Sequence, residues 1–229
     1  MLIFLDLETT GLEASDKIVS IGLVVIEEQD KQEFYDIVNE GKKIPPKASS
    51  IHHITNEMIK NKPTLKESDA YKFLASYNQT GVTLVCHNIQ YDLMMLRNSG
   101  FEWLGEMIDT LRVSKHLMND TEEFSLQFLR YELKLYKIED EGIQSHNALS
   151  DAKLTKLLYE NLLSLASHQE LEDLSFKNVL IQKFEFGKYA GRYIEEISML
   201  DRGYLEWMLR NLLDMDEDLH YSILYYLNG

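Results

Sequence analysis

Short apolar runs separated by polar breaks occupy the first part of the chain. Residues 1–5 are apolar, residues 18–26 are rich in β-branched side chains, and residues 33–38 form a third run after a polar stretch. Runs of β-branched and aromatic residues bounded by polar breaks are typical of strands. The pattern therefore predicts three consecutive strands arranged as a meander.

Helical spacing of apolar residues dominates the middle of the chain. The Pro45-Pro46 pair and the serine-rich stretch after it predict a loop, and the apolar residues 82–86 predict a short buried strand. Helices are predicted over residues 64–77, 91–98, 110–117, 125–135 and 148–166. Strands first and helices later, with one short strand between them, predict an α/β fold in which helices flank a mixed central sheet.

Beyond residue 180 the chain becomes rich in aromatic residues and glycine. Residues 184–192 read FEFGKYAGR, and a helical pattern follows at residues 204–209. This change predicts a main domain over residues 1–168 and a small C-terminal module over residues 180–229. No internal repeat or low-complexity segment is present, which excludes solenoid architectures.

Composition indicates the size of the core, the redox environment and the absence of a membrane helix. The 229 residues, 45% of them hydrophobic, are enough for one sizeable core. The single cysteine, Cys86, excludes an internal disulfide and a cysteine metal cluster within one chain, so we expect a reducing, cytoplasmic environment. The sequence has no run of about 18 apolar residues, the length that a membrane helix needs, so no membrane partner is expected.

The formal net charge of −15 argues against a broad basic surface for nucleic acid. The charge does not exclude an enzyme that handles only a strand end. Such an enzyme can meet phosphate through divalent cations, backbone amides and a few local basic groups. For this kind of protein we expect weak, salt-sensitive binding without a long duplex footprint.

The first candidate metal ligands lie on the first predicted strand. Asp6 and Glu8 lie two residues apart, and the alternation of a strand places both carboxylates on the same face. Two buried carboxylates repel each other unless a cation neutralises them. Hard oxygen ligands favour Mg²⁺ or Mn²⁺.

Two further acidic segments could join this pair. Asp92 follows the buried strand 82–86 at the start of a helix, and the carboxyl ends of strands are where open sheets bind ligands. Asp92 could also be a helix N-terminal acid that interacts with the helix dipole. His146 and Asp151 lie where a loop enters the long helix, so they could converge on one point, or they could be a surface histidine and a solvated helix residue.

Three ordered motifs resemble the DEDDh family of 3′→5′ exonucleases. Residues 4–12 read FLDLETTGL, residues 87–92 read HNIQYD, and residues 146–151 read HNALSD. Residues 51–55, IHHIT, resemble the family's His-Gly-Ile-Thr segment with histidine in place of glycine, and residues 108–111, IDTL, resemble its later Asp-Thr segment. The resemblance covers roughly residues 1–166.

The resemblance implies a ribonuclease H-like fold and a site with two metal ions, Mg²⁺ or Mn²⁺. It implies that the metals are held by four carboxylates, Asp6, Glu8, Asp92 and Asp151. It also implies that His146 accepts the proton of the attacking water, a role that suits histidine at working pH.

A set of substrate-binding residues follows from the same resemblance. These residues are Thr9, Thr10, Leu12, His52, Asn88 and Tyr91. The backbone of Thr9 and Thr10 would hold the terminal 3′-hydroxyl, and Leu12 would wedge against the terminal base. The threonines could instead form an ordinary capped turn, and Leu12 could belong to the core.

The implied function is a metal-dependent 3′→5′ exonuclease that releases nucleoside monophosphates from a nucleic acid 3′ end, with DNA favoured over RNA. Repair or proofreading is the expected setting, with a polymerase or repair complex as a possible partner. An RNA-trimming exoribonuclease of the ribonuclease T type and a catalytically silent binding subunit are the alternatives. The sequence leaves the oligomeric state open.

The C-terminal block resembles the module that follows the nuclease domain in exonuclease X-like proteins. Lys188, Tyr189 and Arg192 could present cations and an aromatic face to a single strand. The block could equally be a packing module with Trp207 in its core, or a surface for docking a protein.

Overall fold

Five strands form one mixed sheet in the order β3-β2-β1-β4-β5. The strands are β1 (Leu2–Thr9), β2 (Ile18–Glu27), β3 (Asp30–Ile37), β4 (Thr83–Cys86) and β5 (Glu106–Asp109). The computed structural model describes residues 1–118, 121–138 and 144–228. Strands β1, β2 and β3 pair in antiparallel fashion, whereas β4 and β5 run parallel to β1. The predicted meander and mixed sheet are therefore confirmed.

Eleven α-helices accompany the sheet in the described residues. Those of the first part are α1 (Pro46–His52), α2 (Asn56–Ile59), α3 (Asp69–Ser76), α4 (Ile89–Asn98), α5 (Thr110–Leu117), α6 (Leu126–Glu132), α7 (Ala148–Leu162) and α8 (His168–Ser175). Those of the last part are α9 (Ile194–Leu200), α10 (Arg202–Asn211) and α11 (Glu217–Asn228). Two single 3₁₀ turns lie at Leu65–Glu67 and Leu135–Lys137. The chain divides into two units, Met1–Ser175 and Phe176–Gly229.

Two local predictions were wrong, and one strand was missed. The stretch after Pro45 is helix α1 rather than a loop, because a proline in the first helical turn loses no hydrogen bond that the turn would have made. The helix predicted over residues 64–77 is broken at Ser68, which ends the 3₁₀ turn and caps α3 by accepting from the Tyr71 amide. Strand β5 was not predicted, since acidic residues at both of its ends leave an apolar run of only two residues, Met107 and Ile108.

Helix α7 covers one face of the sheet. Phe4 and Val24 pack there with Leu154 and Leu158 of the helix, while Ile3 and other residues of the opposite parity point into a second cluster on the other face. Asp6 and Glu8 have the parity of Phe4, so they share the face on which α7 lies. The end of this helix nearest to them is its N-terminus.

Gly22 permits this close approach. It lies opposite Asp6 in the β1–β2 pairing. A Cβ at Gly22 would be 2.3 Å from the backbone carbonyl carbon of Ala148, the first residue of α7. Only the absence of a side chain lets the first turn of α7 rest directly on β2.

The second unit has its own hydrophobic core. The buried residues of that core are Phe184, Ile194, Ile197, Leu205, Met208, Leu219 and Ile223. Trp207 is half exposed and stacks on Tyr204, so it is not a core residue. Lys188 is paired with Asp201 and Arg192 with Glu196, so intramolecular carboxylates already neutralise both cations. In the described parts of the chain, no helix is both long and apolar enough to cross a membrane.

Candidate active site

The first two carboxylates of the site belong to the end of β1. Asp6 and Glu8 are partly buried on the face that α7 covers. A break in the regular β1–β2 register follows directly, between Glu8 and Thr9. The strand pairing holds the backbone of both residues, so both side chains leave β1 near its carboxyl end.

Asp92 lies in the first turn of α4, immediately after β4. The connection between them is short because Asn88 adopts a left-handed conformation, with φ 72°. The Asn88 backbone amide donates to Oδ1 of Asp109 at 3.0 Å, which fixes the turn against the end of β5. Asp92 itself is only 4% exposed. The carboxyl ends of the parallel strands β1 and β4 lie on the same side of the sheet. Asp92 is therefore near enough to Asp6 to raise its pKa.

Helix α7 supplies Asp151, and the segment before it supplies His146. The Asn147 side chain caps the helix by accepting from the Ser150 amide at 3.1 Å. Asp151 is 7% exposed, whereas the His146 side chain is exposed. One ligand atom from each of Glu8, His146 and Asp151 lies within 4.8 Å of the others.

Burial and mutual repulsion raise the pKa values of the carboxylates. Burial, with the Asp151 carboxylate adding to it, raises the pKa of Glu8 to about 8. Burial raises the pKa of Asp151 to about 6, although His146 and a hydrogen bond from Gln127 oppose the shift. The pKa of Asp6 is well above its usual value because of burial and the nearby Asp92, Asp151 and Glu8 carboxylates.

This donor set fits a divalent metal ion. The four carboxylates come from three different elements, β1, α4 and α7, and no cationic side chain among the described residues is ion-paired with them. Buried like charges in one small volume disfavour the ionised state unless a cation is present. Carboxylate oxygens are the ligands that hard divalent cations take. The structure thus brings together Glu8, His146 and Asp151, and it places Asp6 and Asp92 near enough to affect the ionisation of the cluster.

The predicted substrate residues near β1 form a hydrogen-bonded turn. Thr9 Oγ1 and the Tyr91 hydroxyl both donate to the Gly11 carbonyl at 2.8 Å, and they lie 2.5 Å from each other. Thr10 is buried, and its hydroxyl donates to Asp16 at 2.6 Å. Leu12 projects from this turn and is 79% exposed, so it is not a core residue.

The other two predicted substrate residues differ in exposure. His52 is buried in α1, its Nδ1 accepts from the Ile54 amide at 3.0 Å, and its ring lies beside the Thr9 backbone. The Asn88 side chain is exposed at the start of α4. His52 therefore supports the turn that follows β1, whereas Asn88 is accessible to a ligand.

Two residues near the carboxylates were not predicted as part of the site. Gln127 donates from Nε2 to Oδ1 of Asp151 at 2.9 Å. Asp109 is 1% exposed, accepts the Asn88 and Leu111 amides at 3.0 Å, and helps to raise the pKa of Asp92. Gln127 gave no sequence signal. Asp109 was visible in the Asp-Thr segment, but that segment was not connected with the carboxylates.

Two known bacterial proteins are similar to this chain over most or all of its length. Over its full length the chain is 28% identical to exodeoxyribonuclease 10 of Escherichia coli strain K12, and the match covers 100% of both chains. It is 29% identical to the DNA polymerase III epsilon subunit of Rickettsia prowazekii, over 81% of this chain and 87% of that one.

A solved structure of exonuclease X in complex with 5′ overhanging duplex DNA superposes with a TM-score of 0.63. It is 26% identical and covers 76% of this chain and 99% of that chain. The ribonuclease H-like fold expected from the motifs is confirmed. The family described as exodeoxyribonuclease X-like C-terminal matches residues 184–212. Since the family described as exonuclease matches residues 3–159, well over half of the sequence, the chain belongs to the exonuclease family.

Proposed function

We propose that the protein is a metal-dependent 3′→5′ exodeoxyribonuclease that releases nucleoside monophosphates from a DNA 3′ end, in repair or proofreading. The observation that carries this proposal is the approach of ligand atoms of Glu8, His146 and Asp151 to within 4.8 Å of one another. Asp6 lies close enough to Asp92, Asp151 and Glu8 for their charges to raise its pKa. The similarity to exodeoxyribonuclease 10 over the whole length of both chains supports DNA as the substrate.

The proposal assigns the metal ligands to Asp6, Glu8, Asp92 and Asp151, for two ions of Mg²⁺ or Mn²⁺. When bound, such ions lower the pKa of a water molecule and stabilise the charge that develops on the phosphate and the leaving 3′-oxygen. The protein contributes the fixed positions of the four carboxylates. Strand pairing holds Asp6 and Glu8, and the capped start of α7 holds Asp151.

His146 is proposed as the general base. Its side chain is exposed to solvent and lies beside the Glu8 and Asp151 carboxylates. From there it would accept the proton of the water that attacks the terminal phosphodiester, a transfer that typically contributes about 10²–10⁴-fold to the rate. The neighbouring carboxylates would stabilise the protonated imidazole that results.

The turn after β1 is proposed to receive the terminal nucleotide. Thr9 and Tyr91 hold the Gly11 carbonyl, and this hydrogen-bonded turn presents Leu12 to solvent. An exposed apolar side chain on a fixed turn suits a wedge against the terminal base. Thr10 and His52 would act by shaping the turn, and Asn88 would line the pocket.

We also propose which part of the chain is catalytic, in which compartment the protein acts and which partner it has. We assign catalysis to residues 1–168 and an accessory role to residues 180–229, and we expect the protein to act in the cytoplasm. A polymerase or repair complex is proposed as a partner, which the similarity to the polymerase III epsilon subunit supports.

Matched DNA and RNA oligonucleotides with a 5′ label, single-stranded and duplex, test the proposal. With Mg²⁺ or Mn²⁺ we expect a ladder of DNA products that shorten from the 3′ end, and none in EDTA. Faster trimming of RNA would instead identify an exoribonuclease, since the pocket would then accept the 2′-hydroxyl. Binding without degradation under any metal would favour a silent binding subunit.

A further inference from the structure

Gln127 of helix α6 makes a direct contact with one of the proposed metal ligands. Its Nε2 donates to Oδ1 of Asp151 at 2.9 Å. Both side chains are shielded from bulk solvent, Asp151 almost fully and Gln127 in part. A hydrogen bond in such a place restricts rotation of the carboxylate about its own bond, which is otherwise a soft torsion.

A second contact fixes which way the Gln127 amide faces. Arg130 lies one turn further along α6, and its Nη1 donates to Oε1 of Gln127 at 3.3 Å. A guanidinium group can only donate, so it selects the amide oxygen and leaves the NH₂ group directed at Asp151. Arg130 therefore donates to Gln127, and Gln127 donates to the Asp151 carboxylate.

Helix α6 is anchored well enough to hold this chain in place. Ser125 caps it by accepting from the Phe128 amide at 3.3 Å. Leu129, between Gln127 and Arg130, is fully buried in the cluster that also contains Leu154 of α7. The amide and the carboxylate therefore stand on two helices that share one core.

We propose that Gln127 is a positioning residue that holds Asp151 in the orientation required by a divalent cation, an inference that rests on the proposed function. Because Oδ1 already accepts the Gln127 amide, Oδ2 and the remaining lone pair of Oδ1 would be the positions available to a cation. Partners of this kind typically change metal affinity about 10–100-fold when they are removed.

A purely structural role would give a different result. If Gln127 only stabilised the packing of α6 on α7, its removal would lower the unfolding temperature without a selective loss of metal binding. Binding of Mn²⁺ to the full chain in the absence of nucleic acid separates the two roles. The unfolding temperature in EDTA serves as the second readout.

The experiment titrates Mn²⁺ alone into wild type, Gln127→Met, Gln127→Asn and Asp151→Asn by calorimetry. Gln127→Asn keeps the amide but shortens the side chain beyond reach of Asp151, so it tests the same contact if Gln127→Met does not fold. The matched control is Gln169→Met, because Gln169 also donates to carboxylates, Glu172 and Asp173, but on the exposed surface of α8.

We expect both Gln127 variants to bind Mn²⁺ roughly 10–100-fold more weakly, with little change in unfolding temperature in EDTA. The Gln169→Met control should bind as wild type does. Unchanged Mn²⁺ affinity in the Gln127 variants, with binding lost in Asp151→Asn, would overturn this inference and leave the proposed function intact. A wild type that binds no Mn²⁺ would overturn the proposed function itself.

Discussion

At the scale of single residues, the site is defined by carboxylates that repel one another. The fold places Glu8 and Asp151 close together. Burial raises the pKa of Glu8 to about 8 and the pKa of Asp151 to about 6. In the folded protein without metal, these groups therefore resist ionisation more than they do in the unfolded chain. Metal binding and protonation compete for the same oxygen atoms.

The raised pKa values predict how stability depends on pH in EDTA. The stability contributed by Glu8 is complete below its ordinary pKa of 4.5 and is lost as the pH rises through about 8. The unfolding temperature should therefore fall from about pH 5 to about pH 8, and saturating Mg²⁺ should reduce the fall. Thermal unfolding across this interval is the measurement.

Glu8→Gln is the control, because an amide does not titrate. Its profile in EDTA should be flatter than that of the wild type. A wild-type profile as flat as that of Glu8→Gln would contradict the assignment of Glu8 to a buried, repulsive cluster.

The role of His146 gives a second prediction. His146→Ala should lower the turnover rate by about 10²–10⁴-fold, because the general base is removed while the four carboxylates remain. Stabilisation by Mn²⁺ should persist. Steady-state turnover and the thermal shift with Mn²⁺ are measured together, with the exposed His220→Ala as control. A His146→Ala rate within a few-fold of wild type would exclude the base role.

The shared face of Asp6 and Glu8 was predictable from the sequence, whereas the contact of Gln127 with Asp151 was not. Asp6 and Glu8 were placed on one face by strand alternation alone, and the structure has them there. Gln127 could not be predicted, because its contact with Asp151 depends on how two helices pack. A glutamine on a partly exposed helix carries no signal of its own.

At the scale of elements, the site depends on how closely α7 approaches the sheet. Gly22→Ala would place a methyl group 2.3 Å from the backbone of Ala148, so the start of α7 would have to move. We expect a loss of stability of about 1–3 kcal/mol and reduced turnover, since Asp151 would move away from Asp6 and Glu8. Chemical denaturation and nuclease assays measure the two effects.

Gly203→Ala is the matched control for this prediction. Gly203 lies in α10, and the nearest atom to an added Cβ is 3.9 Å away. The change should be neutral or stabilising by up to about 1 kcal/mol, because alanine favours a helix more than glycine does. Equal stability of Gly22→Ala and wild type would contradict the proposed close approach.

Helices and strands with long periodic segments were predictable from the sequence. Helix α7 begins at the predicted residue, Ala148, and the meander has the expected strands. Helix α1 was missed because a proline pair is typical of a loop, and strand β5 was missed because only two of its residues, Met107 and Ile108, are apolar. In both places the surrounding fold decides the conformation.

At the scale of the whole molecule, the proposed catalytic groups all belong to the unit Met1–Ser175. That unit has its own core on both faces of its sheet, and the second unit has a separate core. A chain ending at Ser175 should therefore fold and retain turnover on short single strands within a few-fold of the full chain. Circular dichroism and the nuclease assay measure fold and turnover.

A folded but inactive 1–175 chain would contradict the assignment of catalysis to the first unit. Full activity on short strands with reduced activity on long ones would instead assign a substrate-handling role to the second unit. The Lys188–Asp201 and Arg192–Glu196 pairs leave little uncompensated positive charge on these two side chains for such a role.

The proposed 3′→5′ exonuclease activity is tested with single-stranded DNA that carries one label at the 5′ end and another on the 3′-terminal nucleotide. With Mg²⁺, we expect the 3′ label to be released first, as a mononucleotide. Asp6→Asn should be slower by at least about 10³-fold, since metal catalysis supplies several kcal/mol. The exposed Asp173→Asn is the control. Undiminished turnover in Asp6→Asn would exclude Asp6 as a metal ligand, and release of the 5′ label first would exclude a 3′→5′ exonuclease.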